Sequence, residues 1–405
     1  MADLLPVVVP AEYTRAGNID HTGKHAPVPN DRLFSYGTAG FREKAEVLPF
    51  ILFRVGYLAA LRSRQLNKSI GIMITASHNP KEDNGVKIVD PIGEMLVSEW
   101  EKYATELANA NDEELPTCVR ALEVQVDPPS DCSAARVICA QDTRESGEHL
   151  VKAAEAGVLL FGVRFQFEGR LTTPQLHYIV RVQNDPHFGP SGHMGYHQRI
   201  SEAFNSLIQL IPSHGNYTPL VHLDCANGVG AHQMHYLVRF LGEKIIDVEY
   251  HNEFGELNHL CGADHVKISQ RPPADFENLP PFTRCASLDG DADRLIYFYP
   301  KENHNEIGLL DGDKIAILLA RFFVENLNEA ELSSTFTMAV VQTAYANGAS
   351  TKYILKTLKL PTVFVPTGVK HLHHEAALYD IGIYFEANGH GTICFSDNFK
   401  AIIAK

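Results

Sequence analysis

Apolar residues along this chain recur with two different spacings. Over 47–61 they recur at helical spacing, which predicts an amphipathic helix, and the apolar run 70–74 is typical of a buried strand. The same criteria predict further strands at 135–140, 221–225, 337–342 and 362–365, and apolar, partly alternating residues at 288 and 295–299 flank an acidic segment. They also predict three further helices: one that begins after residue 147, one that ends near residue 241, and one over 309–323. Because strands and helices alternate, the pattern predicts an α/β protein.

Two stretches interrupt this alternation. Residues 183–195 are rich in Gly, Pro, Asn and Asp and predict a linker or long loop, and a softer break falls near 300–305. They predict three consecutive mixed α/β domains, at 1–180, 181–300 and 301–405.

The composition of the chain limits the kinds of partner that we expect it to bind. Its 405 residues carry 35 Lys and Arg against 49 Asp and Glu, a formal charge of −14. This balance argues against nucleic acid or an anionic membrane as a partner, so an anionic substrate needs a local basic pocket. The seven cysteines include no Cys-x-x-Cys pair, which predicts reduced thiols. The sequence has no basic signal-peptide start and no long apolar run, so we expect a soluble, cytoplasmic protein. The oligomeric state stays open.

The segment Thr-Ala-Ser-His-Asn-Pro follows the strand at 70–74 and places Ser77 at a strand end. His78 lies beside this serine, and Lys87 follows shortly after it. We expect an exposed hydroxyl there, held by a rigid strand and flanked by groups that stabilise negative charge, which suits a carrier of a phosphoryl group. A turn serine that hydrogen-bonds its own backbone explains the same segment.

Three carboxylates, Asp289, Asp291 and Asp293, alternate with Gly290 and Ala292 between apolar segments. Alternate side chains of an extended strand lie roughly 6.5–7 Å apart. Oxygen ligands of one Mg²⁺ lie no more than about 4.2 Å apart, so the backbone has to curl, which the two small residues allow. Three carboxylates this close need a cation to neutralise them, and all-oxygen ligands favour magnesium over zinc.

A solvated acidic turn is an alternative interpretation of this loop. A calcium EF-hand is excluded, because Arg294 stands where that loop requires glycine and Pro300 where it requires glutamate. The metal interpretation is favoured, and a phosphate on Ser77 would add the further anionic oxygen that a magnesium ion needs. The chemistry is then phosphoryl transfer, in which Arg294 helps to spread the charge of the moving group.

Two later segments are typical of ligand-binding loops. One carries Lys370 and His371, and the other brings Glu386, Asn388 and His390 together around glycines. This mixture of donors and acceptors suits sugar hydroxyls, although an ordinary polar turn explains each segment equally well. The histidines near 371–374 lack the His-Glu-x-x-His spacing of a zinc site, and no phosphate loop or dinucleotide fingerprint is present in the sequence.

These segments together resemble the α-D-phosphohexomutase superfamily along nearly the whole chain. The resemblance rests on six motifs, at 36–42, 75–80, 142–147, 289–294, 368–371 and 386–391. The last of these motifs, Glu-Ala-Asn-Gly-His-Gly, resembles the corresponding motif of the acetylglucosamine branch. The glucose and mannose branches usually carry serine where Asn388 stands.

The resemblance implies a reaction and a cofactor. Ser77 would be a phosphoserine, and its phosphate would bind Mg²⁺ together with Asp289, Asp291 and Asp293. The reaction would interconvert N-acetylglucosamine 6-phosphate and 1-phosphate through a bound hexosamine 1,6-bisphosphate, in UDP-N-acetylglucosamine biosynthesis.

The resemblance also implies roles for individual side chains. Arg42, His78 and Lys87 would act beside the transferring phosphate, with Lys87 as the candidate general acid and base. The substrate would be held by a larger set, Lys370, His371, Glu386, Asn388, His390 and Arg294.

The sequence departs from the superfamily pattern in one respect. The superfamily carries a fourth, C-terminal domain whose Ser-Gly-Thr loop binds the non-transferring phosphate, and this sequence has no Ser-Gly-Thr. We therefore expect three superfamily domains without the fourth, and weakened turnover. Three alternatives stay open: a phosphohexomutase of different sugar preference, a non-catalytic sugar-phosphate-binding form, and a magnesium phosphatase with an aspartate nucleophile.

Overall fold

The computed structural model describes residues 8–210, 215, 217–242, 244–303 and 306–404. Residues 1–7, where a signal peptide would begin, and His304 and Asn305 of the softer break lie outside the described residues.

The strands of the described residues form three sheets. The first contains β1 (Phe41–Lys44), β2 (Ser69–Ile74), β3 (Asp83–Val89), β4 (Arg136–Gln141) and β5 (Arg164–Arg170) in the order β1-β3-β2-β4-β5. The second contains β6 (Leu220–Asp224), β7 (Asp247–His251), β8 (Cys285–Leu288), β9 (Leu295–Pro300) and β10 (Ile307–Leu310) in the order β10-β9-β8-β6-β7. The third contains β11 (Met338–Thr343), β12 (Thr362–Val365), β13 (Ile381–Phe385) and β14 (Gly391–Phe395) in the order β12-β11-β13-β14.

Helices connect most of these strands. The first half of the chain contains α1 (Pro49–Leu66), α2 (Ser98–Asn109), α3 (Leu115–Val126), α4 (Gly147–Leu159), α5 (Thr173–Asn184) and α6 (Gly192–Ile208). The second half contains α7 (Gly230–Leu241), α8 (Ala263–Ser269), α9 (Gly312–Glu329), α10 (Gly348–Tyr353), α11 (Val369–Ala376) and α12 (Asp397–Ile403). The described part of the chain contains no helix with the length and apolar character needed to cross a membrane.

The first sheet is covered on both faces, and this explains its apolar strands. In β2, Ile72 belongs to the core that includes residues of α1 and α4, whereas Met73 belongs to the core that includes residues of α5. The strand pairs with β4 in parallel and with β3 antiparallel, in the interior of the sheet. A strand buried on both faces is expected to be continuously apolar, as 70–74 is. The sheet therefore gives the segment after Ile74 a rigid starting point.

The chain divides into two units. One unit comprises Met1–Pro219, Gly228–Asp247 and Gly290–Ala292, and the other comprises Leu220–Asn227, Val248–Asp289 and Asp293–Lys405. The first unit contains the first sheet, and the second contains the third sheet and most of the second. The predicted division at 180 and 300 stays a prediction. Residue 180 lies inside α5, and residue 300 is the last residue of β9, which pairs with β10.

The α/β class predicted from the sequence is confirmed. The predicted strands correspond to β2, β4, β6, β11 and β12, and the predicted helices correspond to α1, α4, α7 and α9. Two predictions were wrong in their bounds. The helix predicted over 309–323 begins only at Gly312, because Leu309 and Leu310 pair with β9, and Asp311 caps the helix by accepting a hydrogen bond from the Lys314 amide. The loop predicted over 183–195 is confined to 185–191, because α5 runs to Asn184 and α6 starts at Gly192.

Candidate active site

The serine loop, residues 75–80, follows β2 in the first unit. Ser77 has a φ of +53°, in the left-handed region, and its amide donates to Thr75 Oγ1 at 2.9 Å. The residue is fully buried, so the expectation of an exposed hydroxyl was wrong. The physical reason is that the loop folds over a buried guanidinium instead of projecting from the strand end.

That guanidinium belongs to Arg144. Its Nη2 donates to the carbonyl oxygens of Ser77 (3.1 Å) and Asn79 (2.9 Å), and its Nη1 donates to those of Pro80 (2.6 Å) and Asp83 (2.7 Å). Four backbone acceptors on one planar cation fix the course of the loop, since guanidinium donors have a rigid geometry.

Asp142 contacts both Arg144 and Thr75, the first residue of the serine loop. Its Oδ2 accepts hydrogen bonds from Arg144 Nε (3.0 Å) and Thr75 Oγ1 (2.7 Å), and both ionic side chains are fully buried. Burial raises the pKa of the Asp142 carboxyl, and the Arg144 charge acts in the opposite direction. The motif at 142–147 therefore acts through the backbone of the serine loop.

The predicted catalytic residues of the first unit are near one another in the fold. Arg42 in β1 donates from Nη1 to Asn79 Oδ1 at 3.4 Å, which links it to the serine loop. His78 is half-buried in that loop, and Lys87 lies in β3, which pairs with β2. Three strands of one sheet thus bring Arg42, Ser77 and Lys87 to one region.

Asp291 lies in the same unit and is fully buried. Its Oδ2 accepts a hydrogen bond from Thr173 Oγ1 at 2.6 Å and lies 3.4 Å from Lys87 Nζ. The Thr173 amide also donates to the Asp291 carbonyl oxygen at 3.1 Å. The other carboxylate oxygen, Oδ1, is buried and has no hydrogen-bond partner among the described residues. A buried carboxylate oxygen without a donor is costly, and a bound cation would remove that cost.

Sequence reasoning missed Thr173. It is the first residue of α5, next to Thr172, whose side chain caps the helix in a capping box with Gln175. A Thr-Thr-Pro start of a helix signals a cap, but only the fold shows that the second threonine binds a carboxylate far away in the sequence.

The acidic loop has the curled backbone predicted for it. Carboxylate oxygens of Asp289, Asp291 and Asp293 all lie within 4.8 Å of one another, and Ala292 has a φ of +53°. The left-handed residue turns the chain so that alternate side chains converge. The buried Asp291 Oδ1 and the all-oxygen donor set fit a hard divalent cation such as Mg²⁺.

Arg294 lies at the end of the acidic loop in the second unit. Its amide donates to Asp289 Oδ1 at 3.2 Å, and its side chain forms ion pairs with Asp289 (3.7 Å) and Asp264 (3.3 Å). The structure thus places this predicted substrate-binding residue against one carboxylate of its own loop and one of α8.

The predicted sugar loop connects β13 to β14. Asn388 Nδ2 donates to Glu386 Oε2 at 3.3 Å, and the His390 amide donates to Asn388 Oδ1 at 3.0 Å. His390 Nδ1 lies 3.3 Å from Asp293 Oδ1, so this loop reaches the acidic loop within the second unit. Gly389 is required for that approach, because a Cβ on it would lie 2.3 Å from the Leu295 carbonyl oxygen.

Lys370 and His371 occupy the first turn of α11. The Lys370 side chain is buried, whereas His371 is exposed. Their part in binding a substrate stays a prediction.

Comparisons with known proteins show which family the chain resembles. A family model described as phosphoacetylglucosamine mutase AMG1, domain III, matches residues 311–405. A second, described as phosphoglucomutase/phosphomannomutase, alpha/beta/alpha domain I, matches residues 57–115. The phosphoacetylglucosamine mutase of Sus scrofa is 45% identical over 388 residues, which cover 95% of this chain and 70% of that protein.

Solved structures of the Aspergillus fumigatus N-acetylphosphoglucosamine mutase are also similar. One, in complex with GlcNAc-6P and magnesium, has a TM-score of 0.86 and is 43% identical. Another, in complex with glucose 1,6-bisphosphate, has a TM-score of 0.88 and is 43% identical. Each match covers 98% of this chain and 74% of the other chain.

These matches place the chain in the α-D-phosphohexomutase superfamily, as the sequence motifs predicted. Within that superfamily, it belongs to the phosphoacetylglucosamine mutase family. Its enzyme class is that of an isomerase that acts as an intramolecular phosphotransferase.

Replacing Arg144 tests whether its charge stabilises the buried Asp142 carboxylate and the serine loop. Arg144→Met leaves the Asp142 carboxylate buried without its cation, so we expect the free energy of unfolding at pH 7 to fall by about 3–5 kcal/mol. Urea denaturation measures this loss. Burial raises the folded-state pKa of Asp142 and the Arg144 charge opposes that rise, so without Arg144 the folded variant binds a proton more tightly than the folded unmodified chain does. The loss should therefore shrink as the pH falls through that raised pKa towards the unfolded value of about 3.9.

The matched control is Arg321→Met. Arg321 pairs with Glu325 on the surface, where both side chains are more than half exposed, so its removal should change stability little at any pH. Equal losses in the two variants, or a loss in Arg144→Met that does not depend on pH, would contradict the assignment.

Proposed function

We propose that the chain interconverts N-acetylglucosamine 6-phosphate and N-acetylglucosamine 1-phosphate, with Ser77 as the phosphoryl carrier. The observation that supports this most strongly is the Asp291 carboxylate. Thr173 and Lys87 hold its Oδ2, and its buried Oδ1 is left for a cation beside the strands that bear Ser77 and Arg42. The relative crystallised with GlcNAc-6P and magnesium supports the choice of substrate and ion.

The proposed reaction has two phosphoryl transfers. In the first, the phosphoryl group leaves Ser77 Oγ for the sugar O1, and the O1 proton passes to a base. The product is the 1,6-bisphosphate, which reorients. In the second, the phosphoryl group on O6 returns to Ser77 Oγ, the proton goes to O6, and the 1-phosphate leaves. We assign the proton transfers to Lys87, and the 1-phosphate would supply UDP-N-acetylglucosamine synthesis.

The charges around Ser77 fit this scheme. A phosphoserine carries about −1.5 to −2 charges at neutral pH, and Arg42 and Lys87 supply positive charge in the same unit. Asp289, Asp291 and Asp293 would hold Mg²⁺, which supplies charge neutralisation for the phosphoryl group when bound. In the second unit, Glu386, Asn388 and His390 would bind sugar hydroxyls, with Lys370, His371 and Arg294 as further substrate contacts.

The direct test is phosphorylation of Ser77. After incubation of the chain with glucose 1,6-bisphosphate and Mg²⁺, we expect intact-mass spectrometry to show a gain of one phosphoryl group. Ser77→Ala should show no gain, whereas Ser133→Ala, which changes an exposed serine, should gain the group as the unmodified chain does. A gain that persists in Ser77→Ala, or no gain in the unmodified chain, would contradict the proposal.

The role of Asp291 is tested through its neighbour. Thr173→Val keeps the volume of the side chain but removes the hydroxyl that orients Asp291 Oδ2. We expect the Mg²⁺ concentration for half-maximal phosphorylation of Ser77 to rise on the order of 10-fold or more, because partners of metal ligands have effects of this size. A Mg²⁺ titration of the phosphorylation rate measures it.

Thr117→Val is the matched control, since Thr117 is an exposed helical threonine of the same unit. It should leave the Mg²⁺ dependence unchanged. If Thr173→Val lowers the rate at saturating Mg²⁺ but leaves the half-saturating concentration unchanged, Asp291 does not act through a metal.

A further inference from the structure

A second group of side chains in the second unit has the composition of a metal site. Ligand-capable atoms of His222, Glu249 and His251 all lie within 4.8 Å of one another. His222 Nδ1 is 3.1 Å from His251 Nε2, and His222 Nε2 is 3.7 Å from Glu249 Oε2. The reaction proposed above uses none of the three.

The strand topology explains why these side chains converge. β6 and β7 are neighbours in the second sheet, and the Cys225 amide donates to the His251 carbonyl oxygen at 3.0 Å, as in a parallel pair. Extending that register towards the N-terminus places His222 opposite Glu249. Because side chains alternate along a strand, Glu249 and His251 then lie on the same face of the sheet as His222.

The distance between His222 Nδ1 and His251 Nε2 suits a tetrahedral ion. Two nitrogens bound to one zinc ion at 2.0–2.1 Å lie roughly 3.3 Å apart, and the observed separation between the imidazoles is 3.1 Å. The third side chain, Glu249, is 57% exposed and can adjust its position to the ion. Three protein ligands leave a fourth position for water or a small ligand.

The surroundings of the two imidazoles fit metal binding. Burial lowers the pKa of His222, more than the nearby Glu249 raises it, so the imidazole is neutral near pH 7 and offers a lone pair. His251 packs against Phe276, with ring centroids 4.4 Å apart, which restricts its orientation. A direct hydrogen bond between the two imidazoles accounts for the same separation without an ion, and the experiment below distinguishes the two.

We propose that His222, Glu249 and His251 form a binding site for a zinc-like divalent cation, separate from the acidic loop. Two imidazoles and one carboxylate favour zinc, whereas the all-oxygen acidic loop favours magnesium. The bound ion would join the edge strand β7 to β6 and stabilise the second sheet in proportion to its occupancy.

The test is zinc binding to the metal-stripped chain in the presence of excess Mg²⁺, which occupies oxygen sites. Isothermal titration with Zn²⁺ should show one bound ion per chain, and Co²⁺ should give the visible absorption of a tetrahedral site. Glu249→Gln, a change at a largely exposed side chain, should weaken zinc binding on the order of 10-fold or more, as should His251→Ala.

His187→Ala is the matched control, because His187 is exposed and far from the group in sequence. It should bind zinc as the unmodified chain does. No zinc binding, or equal affinity in Glu249→Gln and the unmodified chain, would overturn the proposal. Glu249→Gln keeps the test decisive even if His251→Ala fails to fold.

Discussion

The position of Ser77 depends on one buried cation. Arg144 donates to four carbonyl oxygens of the serine loop and the residues after it, and Asp142 holds that guanidinium from the other side. A hydroxyl that carries a phosphoryl group has to be held in place, because small errors in position lower the rate of transfer steeply. The left-handed backbone of Ser77 is a local strain that this network sustains.

Asp291 and Lys87 carry opposite charges and form an ion pair in the unit that contains Ser77. Asp291 is buried between Thr173 and Lys87, an arrangement that satisfies one carboxylate oxygen and leaves the other without a donor. A buried carboxylate oxygen without a donor needs an explanation, and a bound cation would provide one. The curl at Ala292 brings carboxylate oxygens of Asp289, Asp291 and Asp293 within 4.8 Å of one another. The phosphoryl transfer proposed for this chain needs a bound cation, for which this loop offers carboxylates, and positive side chains, for which Arg42 and Lys87 are the candidates.

Local pattern predicted much of this structure, and long-range contacts explain the remainder. The strand before Ser77 and the curl of the acidic loop follow from residues adjacent in sequence, and both predictions are confirmed. Ser77 is buried in contact with Arg144, 67 positions away, and Thr173 contacts Asp291, 118 positions away. The pattern of neighbouring residues does not predict contacts between residues so far apart in the sequence. The start of α9 was misplaced for a related reason. Leu309 and Leu310 fit a helical pattern, but pairing with β9 decides their conformation.

The central claim is that one divalent ion binds Asp291 and the phosphate of Ser77 together. Electron–nuclear double resonance on the phosphorylated chain with Mn²⁺ in place of Mg²⁺ tests it most directly. The account predicts a hyperfine coupling between the manganese and the phosphorus of phosphoserine 77, and its loss or strong reduction in Asp291→Asn. A phosphorylated chain that binds Mn²⁺ without any coupling to phosphorus, or a coupling unchanged in Asp291→Asn, would contradict it.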